Sequence, residues 1–352
     1  MTKFEDIKLL KDNLPSENLF EGWAPKISVA RSSNNIWDIP SLYDFHELQL
    51  NPGAMALQFG ASIFEGMKAY RIGSKVNLFR LSLNYRRFQK SAQRLCLNFP
   101  SFDIFIKSVY QVCSELENWN NPFPSKWMYI RPVLIGLDSH MLPIISKEYL
   151  FYVLAAPIRE FKPKEFTLSV INHFHRATPG GLGFAKTGAN YAHQFLATEQ
   201  AQKQGADAVL WLSSIHDGMI EEASTMNIFF RINNKIITPK LRDTILSGVT
   251  RQSVIELIQS NTGLEMEERD VFIEEIKNAI LTRSLKEIFI TSTALGVKTV
   301  DNLLIEGEKF NVSIDPTLSN LMSYRLKKIF SSGNKTYSSS ESWIQSIELK
   351  GI

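Results

Sequence analysis

Arg176-Ala-Thr-Pro-Gly-Gly-Leu-Gly-Phe-Ala-Lys-Thr-Gly-Ala-Asn-Tyr191 is the stretch on which the reading of this chain turns. Glycine at that density lets a backbone approach a ligand closely and take dihedral angles that other residues avoid. The run delivers Lys186, whose amine can condense with a carbonyl compound and loses its proton more readily when desolvated. A Gly-rich loop carrying an exposed lysine is also a common surface feature, so the neighbouring segments have to decide its role.

Downstream, the pattern predicts a helix over 191–204 stopped by Gly205, with the Tyr191 phenol able to reach the same ligand. Strands follow over 208–212, 219–222 and 226–232, with turns at His216-Asp-Gly218 and Asn233-Asn234. In Ile220-Glu-Glu-Ala, strand alternation turns one of Glu221 and Glu222 inward and the other toward water. An inward carboxylate needs a cation, either a buried Arg or Lys or a cationic group on a ligand. Thr244-Ile-Leu-Ser-Gly-Val-Thr-Arg-Gln-Ser253 leads through Gly248 into a helical pattern over 253–258, whose start offers N–H groups and a positive dipole end to a dianion. Glu287-Ile-Phe-Ile-Thr-Ser-Thr-Ala294 reads as an apolar strand ending in hydroxyls. Asp315-Pro316 starts a helix over 318–330, and the Ser-rich tail beyond it is expected to be partly mobile.

Upstream, strands are expected over 127–135 and 151–156, and a helix over 83–97. Ser101 caps a second helix that buries Phe105, Ile106, Val109, Cys113 and Leu116. Arg87 lies on a helix otherwise patterned for burial, where it is either a phosphate-pinning guanidinium or a surface arginine. The Pro-punctuated segment 157–166 reads as a connection between a small N-terminal domain, 1–156, and a larger C-terminal domain, 167–352. Strands and helices mix without a βαβ rhythm, so the fold class is α+β.

With 352 residues, 44% of them hydrophobic, and no long uncharged apolar stretch, the chain is expected to form about two globular domains and no membrane span. A formal net charge of +3, without a basic stripe and interleaved aromatics, argues against nucleic acid as a partner. The first residues lack the apolar core of a secretory or transit peptide, so a cytoplasmic location is expected. Cys96 and Cys113 read as small buried hydrophobes. His173 and His175 read as packing or solvent-facing residues, and no metal is expected.

Several segments in order resemble the branched-chain amino acid aminotransferases, pyridoxal phosphate enzymes of fold type IV: Phe64-Glu-Gly-Met-Lys-Ala-Tyr70, residues 84–87, Arg94-Leu-Cys96, Tyr129-Ile-Arg-Pro-Val-Leu-Ile-Gly136, Lys186-Thr-Gly-Ala-Asn-Tyr191, Val209-Leu-Trp-Leu212, Thr225-Met-Asn-Ile-Phe229 and Gly248-Val-Thr-Arg251. The resemblance implies the two-domain fold-type IV architecture, pyridoxal 5'-phosphate between the domains, and a homodimer. Its implied activity is ping-pong transfer of the amino group of L-leucine, L-isoleucine or L-valine to 2-oxoglutarate, with amino acids and 2-oxo acids as small-molecule partners. It also implies Lys186 as the Schiff-base and proton-carrying lysine, Glu222 as partner of the pyridine nitrogen, and Tyr191 as partner of the phenolic oxygen. Arg87, the Val249 and Thr250 amides and Thr293 would hold the phosphate. Phe59, Phe64, Tyr129, Arg131, Met141, Phe161, Thr225, Thr293 and Ala294 would meet the substrate.

Departures from the family pattern bear on the substrate. Phe59 and Phe161 stand where tyrosines are common, and Met141-Leu-Pro143 replaces a small, Gly-containing loop segment. Ala223-Ser224 replaces Val-Gly, Ser247 replaces a Pro, and 291–298 lacks the Cys-x-x-Cys of animal members, so no thiol switch is expected. Lost hydroxyls can shift selectivity. The alternatives within the fold are a D-amino acid transaminase and an aminodeoxychorismate lyase. Outside enzymology the alternative is a non-catalytic pyridoxal phosphate carrier.

Overall fold

A computed structural model gives the structure of residues 22–115, 127–158, 164–261, 263–332 and 342–348. These form two compact units, one from 22–158 together with 330–332 and 342–348, the other from 164–329. Phe161, Leu116 and the middle of the expected connection, 159–163, lie outside the described residues.

The N-terminal unit is an antiparallel sheet carrying helices. Its strands are β1 (Lys26–Ser33), β2 (Ile36–Trp37), β3 (Ser41–Asp44), β4 (Ser62–Phe64), β5 (Met67–Ile72), β6 (Lys75–Phe79), β7 (Trp127–Gly136) and β8 (Glu148–Pro157). The main path runs β6-β5-β7-β8-β1-β2, with β3 on β1 and β4 on β7. Besides the short α1 (Met55–Phe59), the unit has α2 (Leu81–Arg94) and α3 (Phe102–Glu115). Ser101 Oγ accepts the Ile104 amide at 3.4 Å, the expected cap. Phe88, Phe105 and Phe151 meet with ring centroids 5.3 to 5.7 Å apart and form the centre of this core. Cys113 is buried there, but Cys96 is exposed at a left-handed turn (φ 53°) just past α2, so only one of the two cysteines is a core residue.

The strand Ile344–Glu348, counted by the sequence reading with the C-terminal domain, instead pairs antiparallel with β6 and extends the N-terminal sheet. Its apolar side chains explain the difference: Trp343 and Ile344 are fully buried, and the Trp343 ring lies 5.9 Å from that of Phe79. A tail that removes this much apolar surface from water is held in place.

The C-terminal unit has two five-stranded sheets. One contains β9 (Thr167–Val170), β10 (Ala208–Leu212) and β11 (Ile220–Ala223). The other contains β12 (Asn227–Ile232), β13 (Lys235–Pro239), β14 (Glu265–Arg269), β15 (Leu285–Ser292) and β16 (Gly296–Val300), and β17 (Asn302–Ile305) and β18 (Glu308–Asn311) complete the first. Both sheets contribute to one core through Leu168, Leu210, Ile220, Ile228, Ile288 and Leu303. Parallel pairs, β9 with β10 and β17 and β13 with β14, sit among antiparallel ones, which makes the unit α+β.

Its helices are α4 (Ala189–Ala192), α5 (Phe195–Lys203), α6 (Val249–Asn261), α7 (Ile273–Leu281) and α8 (Thr317–Ser332). The single helix expected over 191–204 is broken at His193-Gln194. There the Gln194 amide reaches only to Tyr191 O at 3.0 Å, while the Gln194 side chain takes the Asn190 carbonyl at 2.8 Å. Gly205, at φ 81°, ends the helix as expected. α6 begins directly after Gly248, four residues before the apolar pattern reveals it. No helix among the described residues is long and apolar enough to cross a membrane.

Candidate functional site

The loop before Lys186 is shaped by internal packing. At Gly183 a Cβ would meet Thr244 Cα at 2.6 Å, so only glycine lets these two backbones touch. The tightest approach in the run is therefore protein against protein. Asn190 on α4 ties the loop down by donating to Leu182 O and Ala185 O, both at 2.8 Å. The half-buried Lys186 Nζ then donates to Tyr191 Oη at 2.9 Å. Both line an open pocket with Arg176, Asn190, Glu222, Thr225 and Leu246.

Glu221 and Glu222 do not alternate between core and water. Both are 2% exposed, because every residue of β11 is buried. Alternation presumes that one face of a sheet is solvated, and here neither is. Glu222 Oε1 accepts the Leu246 amide at 2.6 Å and Asn227 Nδ2 at 3.2 Å. Its Oε2 lies 3.1 Å from Arg176 Nε, an ion pair whose N–H is not aligned as a hydrogen bond. Arg176 Nη2 meanwhile donates to Gly183 O at 3.0 Å and to Thr244 O. Burial pushes the Glu222 carboxyl up to about 7, against the pull of Arg176, the Leu246 amide and Lys186. Of the two cationic partners the sequence allowed, an arginine is present. It left a sign in the sequence: Arg176 opens the Gly-rich run, and a carboxylate buried nearby requires such a charge.

Val249 and Thr250 stand at the first turn of α6, where N–H groups have no partner within the helix. Gly248 before them is constrained, since a Cβ would fall 1.9 Å from Asn227 Oδ1 and displace the side chain that binds Glu222. Thr293 and Ala294 follow β15 in the turn leading to β16. Thr225 is exposed in the tight β11–β12 turn, beside Ser224 at φ 53°.

The remaining candidates belong to the N-terminal unit. Arg87 is buried and gives Nε and Nη2 to Glu65 Oε1 and Oε2, both at 2.7 Å, so it is not a surface arginine. Glu65 Oε2 also accepts the Gly66 amide at 3.0 Å, and a Cβ on Gly66 would strike the Tyr129 hydroxyl at 1.9 Å. Sequence reasoning gave Glu65 no role, although an arginine on a burial-patterned helix demands such a partner. The Arg131 guanidinium lies 4.9 Å from the Phe64 ring, 5.0 Å from Tyr129 and 5.5 Å from Trp23, so Phe64, Tyr129 and Arg131 do come together. Phe59 and Met141 are exposed, Met141 at 91%.

An amine hydrogen-bonded to a phenol, opening on a pocket that also holds a buried carboxylate, is a donor set suited to carbonyl-amine chemistry with an acid-base partner. The family model for class IV amino-transferases matches residues 62–303, and the chain belongs to that family. Among curated proteins it is 35% identical to branched-chain-amino-acid transaminase 1 of Bacillus subtilis over 277 residues, covering 77% of this chain and 78% of that one. It is 32% identical to a probable branched-chain-amino-acid aminotransferase of Staphylococcus epidermidis over 318 residues, 88% of each. The fold matches a branched-chain aminotransferase of Thermoproteus uzoniensis solved with norvaline at a TM-score of 0.73 and 22% identity, covering 91% of this chain and 99% of that one. The pyridoxal phosphate form of the Thermobaculum terrenum enzyme matches at 0.70 and 20% identity, covering 91% and 97%. Within class IV, then, the chain is an aminotransferase of the branched-chain type, in a family that depends on pyridoxal phosphate.

Proposed function

We propose that the protein moves the amino group of L-leucine, L-isoleucine or L-valine to 2-oxoglutarate by a ping-pong reaction, as a cytoplasmic homodimer. The carrying observation is the Lys186 Nζ to Tyr191 Oη bond at 2.9 Å in a cavity that also holds buried Glu222. The donor set fits pyridoxal 5'-phosphate, with an amine for its aldehyde, a phenol beside that amine, and a carboxylate poised near neutrality for a cationic nitrogen. When bound, that cofactor supplies a carbonyl that condenses with amines and a cationic ring that withdraws electrons from the bond being broken.

In this reading Lys186 Nζ would take the proton from the substrate α-carbon and carry it to the carbon of the cofactor's aldehyde, one amine serving both ends of the transfer. Tyr191 Oη orients that amine. Glu222 holds the ring nitrogen's proton, kept in place by Arg176, the Leu246 amide and Asn227. The phosphate would be held by Arg87, the Val249 and Thr250 amides and Thr293. Glu65 fixes the Arg87 fork, so the guanidinium offers an anion a pre-oriented charge. Arg131, walled by Phe64 and Tyr129, would serve the acidic substrate, while Phe59, Met141 and Phe161 would add apolar wall for the branched one. Thr225, Thr293 and Ala294 would meet the substrate carboxylate.

Borohydride treatment of the protein loaded with pyridoxal phosphate, followed by peptide mapping, should place the label on Lys186. A label on another lysine overturns the assignment. Activity on D-alanine with none on L-leucine would move the protein to the D-amino acid transaminases.

A further inference from the structure

We infer that Glu221 is a positioning residue for Glu222: it competes for the same arginine, and its charge sets how strongly Glu222 holds a proton. This rests on the reading of Glu222 as the carboxylate that meets a cationic nitrogen. Glu221 takes no part in the reaction proposed above, yet it is 2% exposed inside the same unit. A carboxylate so placed either carries a proton or draws on a cation.

The contacts show which groups are in play. Glu221 Oε1 accepts the Thr244 hydroxyl at 2.7 Å, and Glu221 Oε2 has no hydrogen-bond partner among the described residues. Thr244 also gives its carbonyl to Arg176 Nη2, so one residue joins Glu221 to the guanidinium beside Glu222. The charged and polar groups facing Glu221 are Arg176 and His175 from the segment after β9, Thr244 before α6, and Ser213 after β10. Those facing Glu222 are Arg176, Lys186, the Leu246 amide, Asn227 and Glu221 itself.

Charge counting then gives the consequence. Arg176 and Lys186 are the cations facing Glu222, and Glu221 draws on Arg176 as well, so an ionised Glu221 leaves less of that charge for Glu222 and raises its affinity for a proton. A cationic nitrogen arriving at Glu222 would supply the charge that Glu221 takes and favour the ionised form. Burial raises the proton affinity of both carboxyls, in keeping with this account.

The test follows Glu222 itself in the full-length protein without added cofactor. The carboxyl C=O stretch is titrated by difference infrared spectroscopy, with Glu222→Gln identifying the band. Glu221→Gln keeps the shape and removes the competing charge, so the Glu222 midpoint should fall by roughly one pH unit or more. Thr244→Val removes the donor to Glu221 but keeps the carbonyl on Arg176; without that donor Glu221 holds its own proton more tightly, so the Glu222 midpoint should move the same way. If both variants fold, as judged by circular dichroism, and the midpoint stays put, Glu221 is only structural and the inference fails. If Glu221→Gln does not fold, Thr244→Val decides alone. The measurement uses no turnover and no cofactor, so a borohydride label away from Lys186 would sink the proposed function and leave this coupling intact.

Discussion

Each unit contains a buried arginine against a buried glutamate, and the two pairs are built to opposite ends. In the N-terminal unit Arg87 meets Glu65 as a fork, both oxygens engaged at 2.7 Å and one also on the Gly66 amide. In the C-terminal unit Arg176 spends Nη2 on two carbonyls and approaches Glu222 with an Nε–H that points off line. A forked pair locks both side chains and makes the guanidinium a fixed charge. An imperfect pair leaves its carboxylate under-compensated, and burial then raises its proton affinity toward neutrality. In the proposed reading the difference separates an arginine fixed to hold an anion from a carboxylate set to hold a proton beside a cationic nitrogen.

The strongest way to break this division is at the lysine beside the poised carboxylate. Lys186→Ala should lower transamination of L-leucine by roughly 10⁴-fold, the upper end of what a positioned proton carrier contributes, with the fold unchanged. Steady-state rates with circular dichroism check it, and near-normal turnover would mean the reacting amine lies elsewhere. Next comes the forked pair. Glu65→Ala removes the forked carboxylate from the buried Arg87 charge and should cost about 3–5 kcal/mol of stability by denaturant unfolding. A loss below about 1 kcal/mol would show that Arg87 has another sufficient partner.

The poised pair makes a prediction in pH. Glu222 has an ordinary value of 4.5 and is raised to about 7 in the fold, so the folded protein binds the proton more tightly than the unfolded chain. Its contribution to stability is full below pH 4.5 and is lost as pH rises to about 7. Thermal unfolding of the protein without cofactor should show Glu222→Gln losing less stability than the parent as pH rises over that window. Identical slopes for the two would place the titration on other groups.

How far the sequence could foresee this follows from where each signal lives. Lys186 and Tyr191 lie in one local motif, and a five-residue span needs no knowledge of packing. The β11 carboxylates defeated the alternation rule because that rule assumes a solvated face, and whether a strand has one depends on what covers it. Glu65 and Arg176 stood within quoted motifs, but a buried ion pair is a relation between segments 22 residues apart in one case and many more in the other. The break at Gln194 depended on a side chain taking a backbone carbonyl, which apolar periodicity does not encode. The strand Ile344–Glu348 was hidden by the Ser-rich stretch before it, and only its pairing with β6 reveals its place.

The smallest expected effect probes the edge of the poised region. Tyr191→Phe removes one hydrogen bond to Lys186 Nζ and no apolar surface. A bond to a charged group contributes about 1.5–3 kcal/mol. Tyr191 and Lys186 share an open cavity where water can replace the lost oxygen, so the low end applies and turnover should fall roughly tenfold. The phenol matters through the orientation of the amine, so the loss should fall on kcat and leave KM nearly unchanged. Steady-state kcat and KM for the parent and Tyr191→Phe test this directly. A rise in KM with kcat unchanged would mean that the phenol acts on the bound ligand rather than on the lysine.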